Sequence, residues 1–71
     1  MAVTQQSMTD QEARDARIAA VLHYRYGDGL VYLPRNRRMA LYVQARKIGY
    51  IDGEGYLTGA GRALLARFQY I

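Results

Sequence analysis

The chain is 71 residues long and contains no cysteine, and this combination most limits the folds open to it. A chain of this length buries only about 60% of the surface that its unfolded form exposes, so small domains often depend on disulfides or bound metals. His23 is the only histidine, so we expect no metal site. Apolar and aromatic residues make up 51% of the chain, which predicts a compact fold held by packing and helix capping.

The first helix is predicted from a capping box. Thr9 and Glu12 are spaced so that the Thr9 hydroxyl accepts from the Glu12 amide while the Glu12 carboxylate accepts from the Thr9 amide. Apolar residues then recur at spacings of three and four, at Ile18, Val21, Leu22 and Tyr26. Since Gly27 supplies a stop, the pattern predicts a helix over residues 10–26, preceded by a flexible N-terminus at residues 1–8.

A strand and a second helix are predicted next. A turn at residues 27–29 leads into a β-prone run at residues 30–33, which Pro34 closes. Pro34 suits the first turn of a helix, because its missing amide costs nothing there. The pattern therefore predicts a short strand and then a helix over residues 34–48. Apolar residues on two sides of this helix indicate a central position in the fold.

The remaining segment predicts a β-hairpin and a last helix. Gly49 ends the second helix, and the glycines at residues 53 and 55 suit the tight turn of a hairpin over residues 49–58. Thr58 can cap a helix with an apolar stripe at Leu64, Leu65 and Phe68, followed by a docked end at residues 70–71. The sequence thus predicts a single α+β domain over residues 9–71, in the order helix, strand, helix, β-hairpin, helix.

Residues 45–52 (Ala-Arg-Lys-Ile-Gly-Tyr-Ile-Asp) and residues 56–65 (Tyr-Leu-Thr-Gly-Ala-Gly-Arg-Ala-Leu-Leu) resemble the wing end of winged-helix DNA-binding domains. In that family a recognition helix ends at a Gly-hydrophobic pair, a hairpin forms the wing, and a Leu-Thr-x-x-Gly-Arg-x-Leu-Leu run begins the next helix. The resemblance implies a small winged-helix-like domain. The helix over residues 34–48 would enter the major groove, and residues 50–58 would lie beside the backbone as the wing.

The segment before the wing departs from that family. A full helix-turn-helix needs two helices between the first strand and the wing, whereas 15 residues separate Leu33 from Gly49. One helix fits in this interval. The chain is therefore either a shortened winged-helix relative or a different arrangement with a similar hairpin ending.

The basic residues concentrate in the middle of the chain. Ten Lys and Arg stand against six Asp and Glu, for a net charge of +4, and no acid occurs between Asp28 and Asp52. This charge favours polyanions, arginine binds phosphate with two parallel hydrogen bonds, and tyrosine can stack on bases. The candidate nucleic-acid-binding residues are Arg35, Arg37, Arg38, Arg46, Lys47, Tyr42, Tyr50 and Tyr56. The alternative is a solvated basic face with tyrosines that pack in the core.

The sequence offers no convincing catalytic constellation. His23 stands alone, and Asp52 and Glu54 are typical of solvated carboxylates in a turn. We therefore predict a non-enzymatic protein with no cofactor, no metal and no small-molecule substrate. Residues 1–8 lack the apolar run of a signal peptide, and the chain has no run of membrane-spanning length. We expect a cytoplasmic protein without a membrane partner.

Two functions fit these features. The first is a small regulator of transcription that binds double-stranded DNA with its basic helix and hairpin wing. The alternative is a protein-binding module, such as a small phage-type inhibitor of host transcription or of another nucleic-acid-handling machine. In that case its partner is a protein of the transcription machinery, and the same arginines and tyrosines anchor the interface.

Overall fold

The computed structural model describes residues 9–36 and 38–70, which form three helices around one core. The helices are α1 (Asp10–His23), α2 (Arg38–Ile48) and α3 (Gly59–Arg67). Helix α1 packs against both α2 and α3. The predictions made for residues 1–8, for Arg37 and for Ile71 lie outside the described residues. None of the described helices combines the length and apolar character needed to cross a membrane.

The predicted α+β, winged-helix-like architecture is wrong. Over residues 9–36 and 38–70 no β-strand forms, so neither the strand at residues 30–33 nor the hairpin wing is present. The segments between the helices are joined only by isolated antiparallel bridges. These bridges join Arg25 to Val31, Leu30 to Tyr56, and Ile51 to Leu57. Leu30 and its neighbour Val31 thus pair with two different segments, and consecutive pairs between the same two segments do not form.

The helices on either side of the predicted wing leave no room for it to extend. The Asp52 side chain accepts hydrogen bonds from the amides of Glu54 at 2.9 Å and Tyr56 at 3.0 Å. The Asp52 amide also donates to the Tyr56 carbonyl at 2.9 Å, so backbone pairing does cross the turn. Pairing stops after the single bridge between Ile51 and Leu57, because α2 ends at residue 48 and α3 begins at residue 59. The hairpin prediction was therefore correct for the turn and wrong for the two strands that should flank it.

The helix boundaries follow from local chemistry. The predicted capping box of α1 is confirmed, with the Thr9 hydroxyl 3.1 Å from the Glu12 amide. Helix α1 ends at His23 instead of residue 26, because the next residue is extended and Arg25 enters a bridge. Helix α2 begins at Arg38 instead of Pro34, since Asn36 has φ +61°, a left-handed conformation that interrupts a helix.

Thr58 joins the end of α2 to the start of α3. As predicted, it caps α3: its hydroxyl oxygen accepts from the Gly61 amide at 3.2 Å. The same hydroxyl donates to the carbonyl of Gly49 at 2.6 Å. Gly49 has φ +107° and directly follows the last residue of α2, which confirms the predicted stop. One side chain therefore fixes the position of both helix ends.

The core takes residues from every helix and from the segments between them. Its buried members are Ile18, Ala19, Val21, Leu22, Val31, Tyr42, Ala45, Ile51, Leu57, Leu64 and Leu65. Phe68 and Tyr70 pack against this cluster from the C-terminal side. The prediction that α2 is buried on two sides is wrong, because Met39 and Val43 are exposed. Helix α2 therefore covers one side of the core and presents a partly apolar outer face.

Candidate functional site

The tight turn at residues 27–29 directs three tyrosine side chains outward. The Tyr26 amide donates to the Leu30 carbonyl at 2.8 Å, and the Tyr32 amide donates to the Tyr24 carbonyl at 2.9 Å. Successive side chains of extended backbone point to opposite sides. Because Val31 points into the core, Tyr32 faces solvent. Tyr24, Tyr26 and Tyr32 are 52%, 57% and 43% exposed.

A groove lies between this turn and the start of α2. Its volume is about 280 Å³, and its lining residues are Val21, Tyr24, Tyr32, Pro34, Arg35 and Arg38. We call it the tyrosine-arginine groove. The guanidinium carbon of Arg38 lies 5.8 Å from the centre of the Tyr24 ring, inside the cation-π range of about 6 Å. Buried Val21 supplies an apolar floor. Apolar, aromatic and cationic groups thus meet in one small concavity.

A second groove continues from the first across Tyr32. Its volume is about 560 Å³, and it is lined by Tyr26, Leu30, Val31, Tyr32, Leu33, Tyr42, Arg46 and Glu54. The Tyr26 and Tyr32 rings meet edge to face at 4.4 Å between centres. Because Tyr32 lines both grooves, they form one surface, with Arg38 at one end and Arg46 at the other.

The predicted basic residues are exposed at both ends of α2. Arg35 and Arg38 line the tyrosine-arginine groove, and Arg46 and Lys47 lie in the last turn of the helix. Arg37 lies outside the described residues. The Arg46 guanidinium donates to the Gly53 carbonyl at 3.2 Å, which holds this side chain against the turn after α2.

The three predicted tyrosines occupy different environments. Tyr42 is only 5% exposed and belongs to the core, so its ring has no free face for stacking. Its ring also contacts the Arg46 guanidinium, whose carbon is 5.8 Å from the ring centre. Tyr50 is partly buried against the core. Tyr56 is partly exposed but lines neither groove. The structure therefore does not bring these three residues to one surface.

Sequence reasoning missed the exposed tyrosines at residues 24, 26 and 32. The signal was present, because the four apolar residues of the predicted strand cannot all face the core when side chains alternate. Choosing Val31 as the core residue assigns Tyr32 to the outside. The backbone pairing around the turn then assigns Tyr24 and Tyr26 to the same side.

The arginines of the tyrosine-arginine groove have no carboxylate partner among the described residues. All the salt bridges in that part of the chain involve Asp15, whose carboxylate lies 3.0 Å from Arg67 and 3.4 Å from Arg14. Asp15 is buried and ties α1 to the end of α3. Arg35, Arg38 and Lys47 take no part in these salt bridges. Their positive charge is available to an external anion.

Asp52 stabilises the turn to which Arg46 is bound. Hydrogen bonds from the Tyr56 and Glu54 amides lower the pKa of the Asp52 carboxyl from its ordinary value of 3.8. The positive charge of Arg46 acts in the same direction but contributes less. The ionised carboxylate is therefore part of the structure that positions the Gly53 carbonyl.

The chain was compared with protein families, curated proteins and solved structures. No protein-family model, curated protein or solved structure matches this chain. Within residues 9–36 and 38–70, no group of three or more His, Cys, Asp or Glu side chains is placed to hold a metal ion. The surface can form charge-assisted hydrogen bonds to anions through its guanidinium groups and can stack on flat rings through its tyrosines.

Proposed function

We propose that this chain is a non-enzymatic DNA-binding domain that uses the surface formed by the two grooves. One observation supports this most strongly. The exposed guanidinium groups of Arg35 and Arg38 stand beside exposed tyrosine rings and have no carboxylate partner among the described residues. Arginine pairs with phosphate in bidentate geometry, and aromatic rings beside cationic groups are typical of nucleic-acid-binding surfaces.

The proposed contacts run along α2. Arg38 and Arg46 lie near opposite ends of this helix, about 12 Å apart along its axis at about 1.5 Å per residue. Phosphates along one DNA strand are spaced about 3.4 Å apart along the duplex axis, so the two arginines span several phosphates. Arg35 extends this set beyond the start of α2. Lys47 lines neither groove, so it is not among the proposed contacts. Because the hairpin wing is not present, the proposal uses no wing contact.

A second candidate function is protein binding. It is favoured by the outer face of α2, where Met39 and Val43 are exposed, and by the exposed side chain of Leu33. Apolar groups of this kind contribute little to phosphate binding, whereas they supply the centre of a protein interface. The two candidates differ in how their affinity responds to salt.

The test is the salt dependence of DNA binding, measured by fluorescence anisotropy with a labelled duplex and a labelled single strand. Each phosphate contact contributes about −0.9 to the slope of log affinity against log salt for a duplex, and about −0.7 for a single strand. Three contacts predict a slope of about −3 for the duplex and about −2 for the single strand. Arg35→Ala and Arg38→Ala should each make the slope shallower by about one contact.

The matched control is Arg62→Ala. Arg62 is an exposed arginine of α3 that lines a different groove with Arg25 and Leu57. Its replacement lowers the net charge by the same amount as the two test variants, but it does so away from the proposed surface. This variant should keep the parent slope. Absence of binding at low salt, or an equal change of slope in all three variants, would contradict the proposal. Retention of a stoichiometric protein partner after nuclease treatment would then favour protein binding.

A further inference from the structure

The tyrosine-arginine groove has the composition of a site for one flat ring. Tyr24 and Tyr32 form its walls, Val21 and Pro34 contribute apolar surface, and two arginines border it. Its volume of about 280 Å³ lies below the range of about 300–1,000 Å³ that is typical of drug-sized ligands. The groove therefore suits a single ring system better than an extended organic molecule.

The two tyrosines are held in place before any ligand arrives. The hydrogen bond from the Tyr32 amide to the Tyr24 carbonyl, 2.9 Å long, fixes their backbones side by side. The rings of Tyr26 and Tyr32 pack edge to face, and so do those of His23 and Tyr24, whose centres are 5.4 Å apart. Rings fixed in this way lose little conformational freedom on binding, which favours affinity.

We propose that this groove holds an unpaired base of a single-stranded nucleic acid, stacked on Tyr24 or Tyr32. Arg35 and Arg38 then hold the phosphates on either side of that base. This inference rests on the proposed function and specifies its ligand. In a duplex both faces of each base are covered by neighbouring bases, so a side chain can stack only on a base that has left the helix.

Charge complementarity favours a nucleotide over a protein segment in this groove. Two arginines border it and no carboxylate lines it, so an anionic group beside the ring is needed to balance the charge. A nucleotide carries its phosphate directly next to its base. DNA and RNA share this chemistry and differ at the 2′-hydroxyl, which the experiment compares directly.

The experiment uses the full chain and three single strands of equal length. Each has about eight nucleotides, within the span of about 4–16 that single-strand-binding folds cover. The strands are oligo-dT, oligo-U and an abasic deoxyribose-phosphate strand. Stacking contributes about 1–3 kcal/mol per base, so oligo-dT or oligo-U should bind about 5- to 150-fold more tightly than the abasic strand. Tighter binding of oligo-U than of oligo-dT would keep the stacking inference and would contradict the choice of DNA in the proposed function.

Variants separate stacking from phosphate binding. Tyr24→Ala and Tyr32→Ala should reduce the affinity for the base-containing strands towards that for the abasic strand, without changing abasic binding. Tyr24→Phe keeps the ring and should retain the preference. Because the chain contains no tryptophan, Tyr24→Trp adds a single tryptophan, which can be excited at a longer wavelength than the tyrosines. Its emission should be quenched by the base-containing strand and not by the abasic strand, whether or not the alanine variants fold.

The outcomes distinguish the two proposals. Equal affinity for base-containing and abasic strands, with the salt slope retained, overturns the stacking inference and leaves the proposed function intact. Tighter binding of a duplex than of either single strand would also overturn the stacking inference and leave the proposed function intact. If none of these ligands binds at low salt, both proposals fail.

Discussion

Gly61 shows how one residue can control the packing of α3. A Cβ at this position would overlap the carbonyl oxygen of Tyr50 and would lie 2.9 Å from Leu57 Cδ2. Gly61 occupies a helical conformation, so the requirement for glycine comes from space and not from the backbone angle. The sequence shows a glycine at this position, but it could not show which segment the glycine contacts.

Gly61→Ala should therefore destabilise the domain by about 1–3 kcal/mol, the usual cost of overpacking. The matched control is Gly59→Ala in the same helix, where an added Cβ meets nothing within 4 Å. Alanine is the better helix former by up to about 1 kcal/mol, so the control should be neutral or stabilising. Thermal unfolding followed by circular dichroism compares the two. Equal melting temperatures of the two variants would mean that the close approach of α3 to Tyr50 does not require glycine at position 61.

At the scale of elements, the helices were predictable and the strands were not. Local signals, such as the Thr9 capping box and the Thr58 cap, act within a few residues and can be recognised in the sequence. The pairing of Leu30 with Tyr56 depends instead on where distant segments meet. A β-prone composition describes extended backbone, but a strand also needs consecutive partners on one neighbour. Here each partner belongs to a different segment.

The turn at residues 52–56 carries a prediction about pH. Hydrogen bonds from the Tyr56 and Glu54 amides lower the pKa of Asp52 below its ordinary value of 3.8. Ionised Asp52 therefore stabilises the fold at pH values above the pKa of the unfolded chain. This contribution decreases as the pH falls from that value through the lower pKa of the folded state.

Asp52→Asn resembles the protonated side chain, so it tests this contribution. The melting temperature of the parent should exceed that of the variant near neutral pH, and the difference should shrink as the pH falls below 3.8. Glu54→Gln is the control, since it removes one negative charge from the same turn without removing either hydrogen bond. A difference that does not change with pH would contradict the role of the ionised carboxylate.

At the scale of the whole molecule, the candidate site is built from three separate segments. The end of α1 contributes Val21, the turn at residues 27–29 positions the exposed tyrosines, and the start of α2 contributes Arg38. The sequence located the basic residues, because charge can be read without a fold. It did not locate the tyrosines, because their exposure depends on Val31 entering the core. The surface is visible only once α1 and α2 pack together.

The most direct test of the account is a map of the bound surface. Two-dimensional NMR spectra of the labelled protein, recorded during titration with oligo-dT, report which amides change their environment. The account predicts that the largest shifts fall at Tyr24, Tyr32, Arg35 and Arg38, with small shifts at Arg62 and Arg67 of α3. Shifts concentrated on α3, or on the outer face of α2 at Met39 and Val43 alone, would contradict the assignment of the tyrosine-arginine groove as the binding surface.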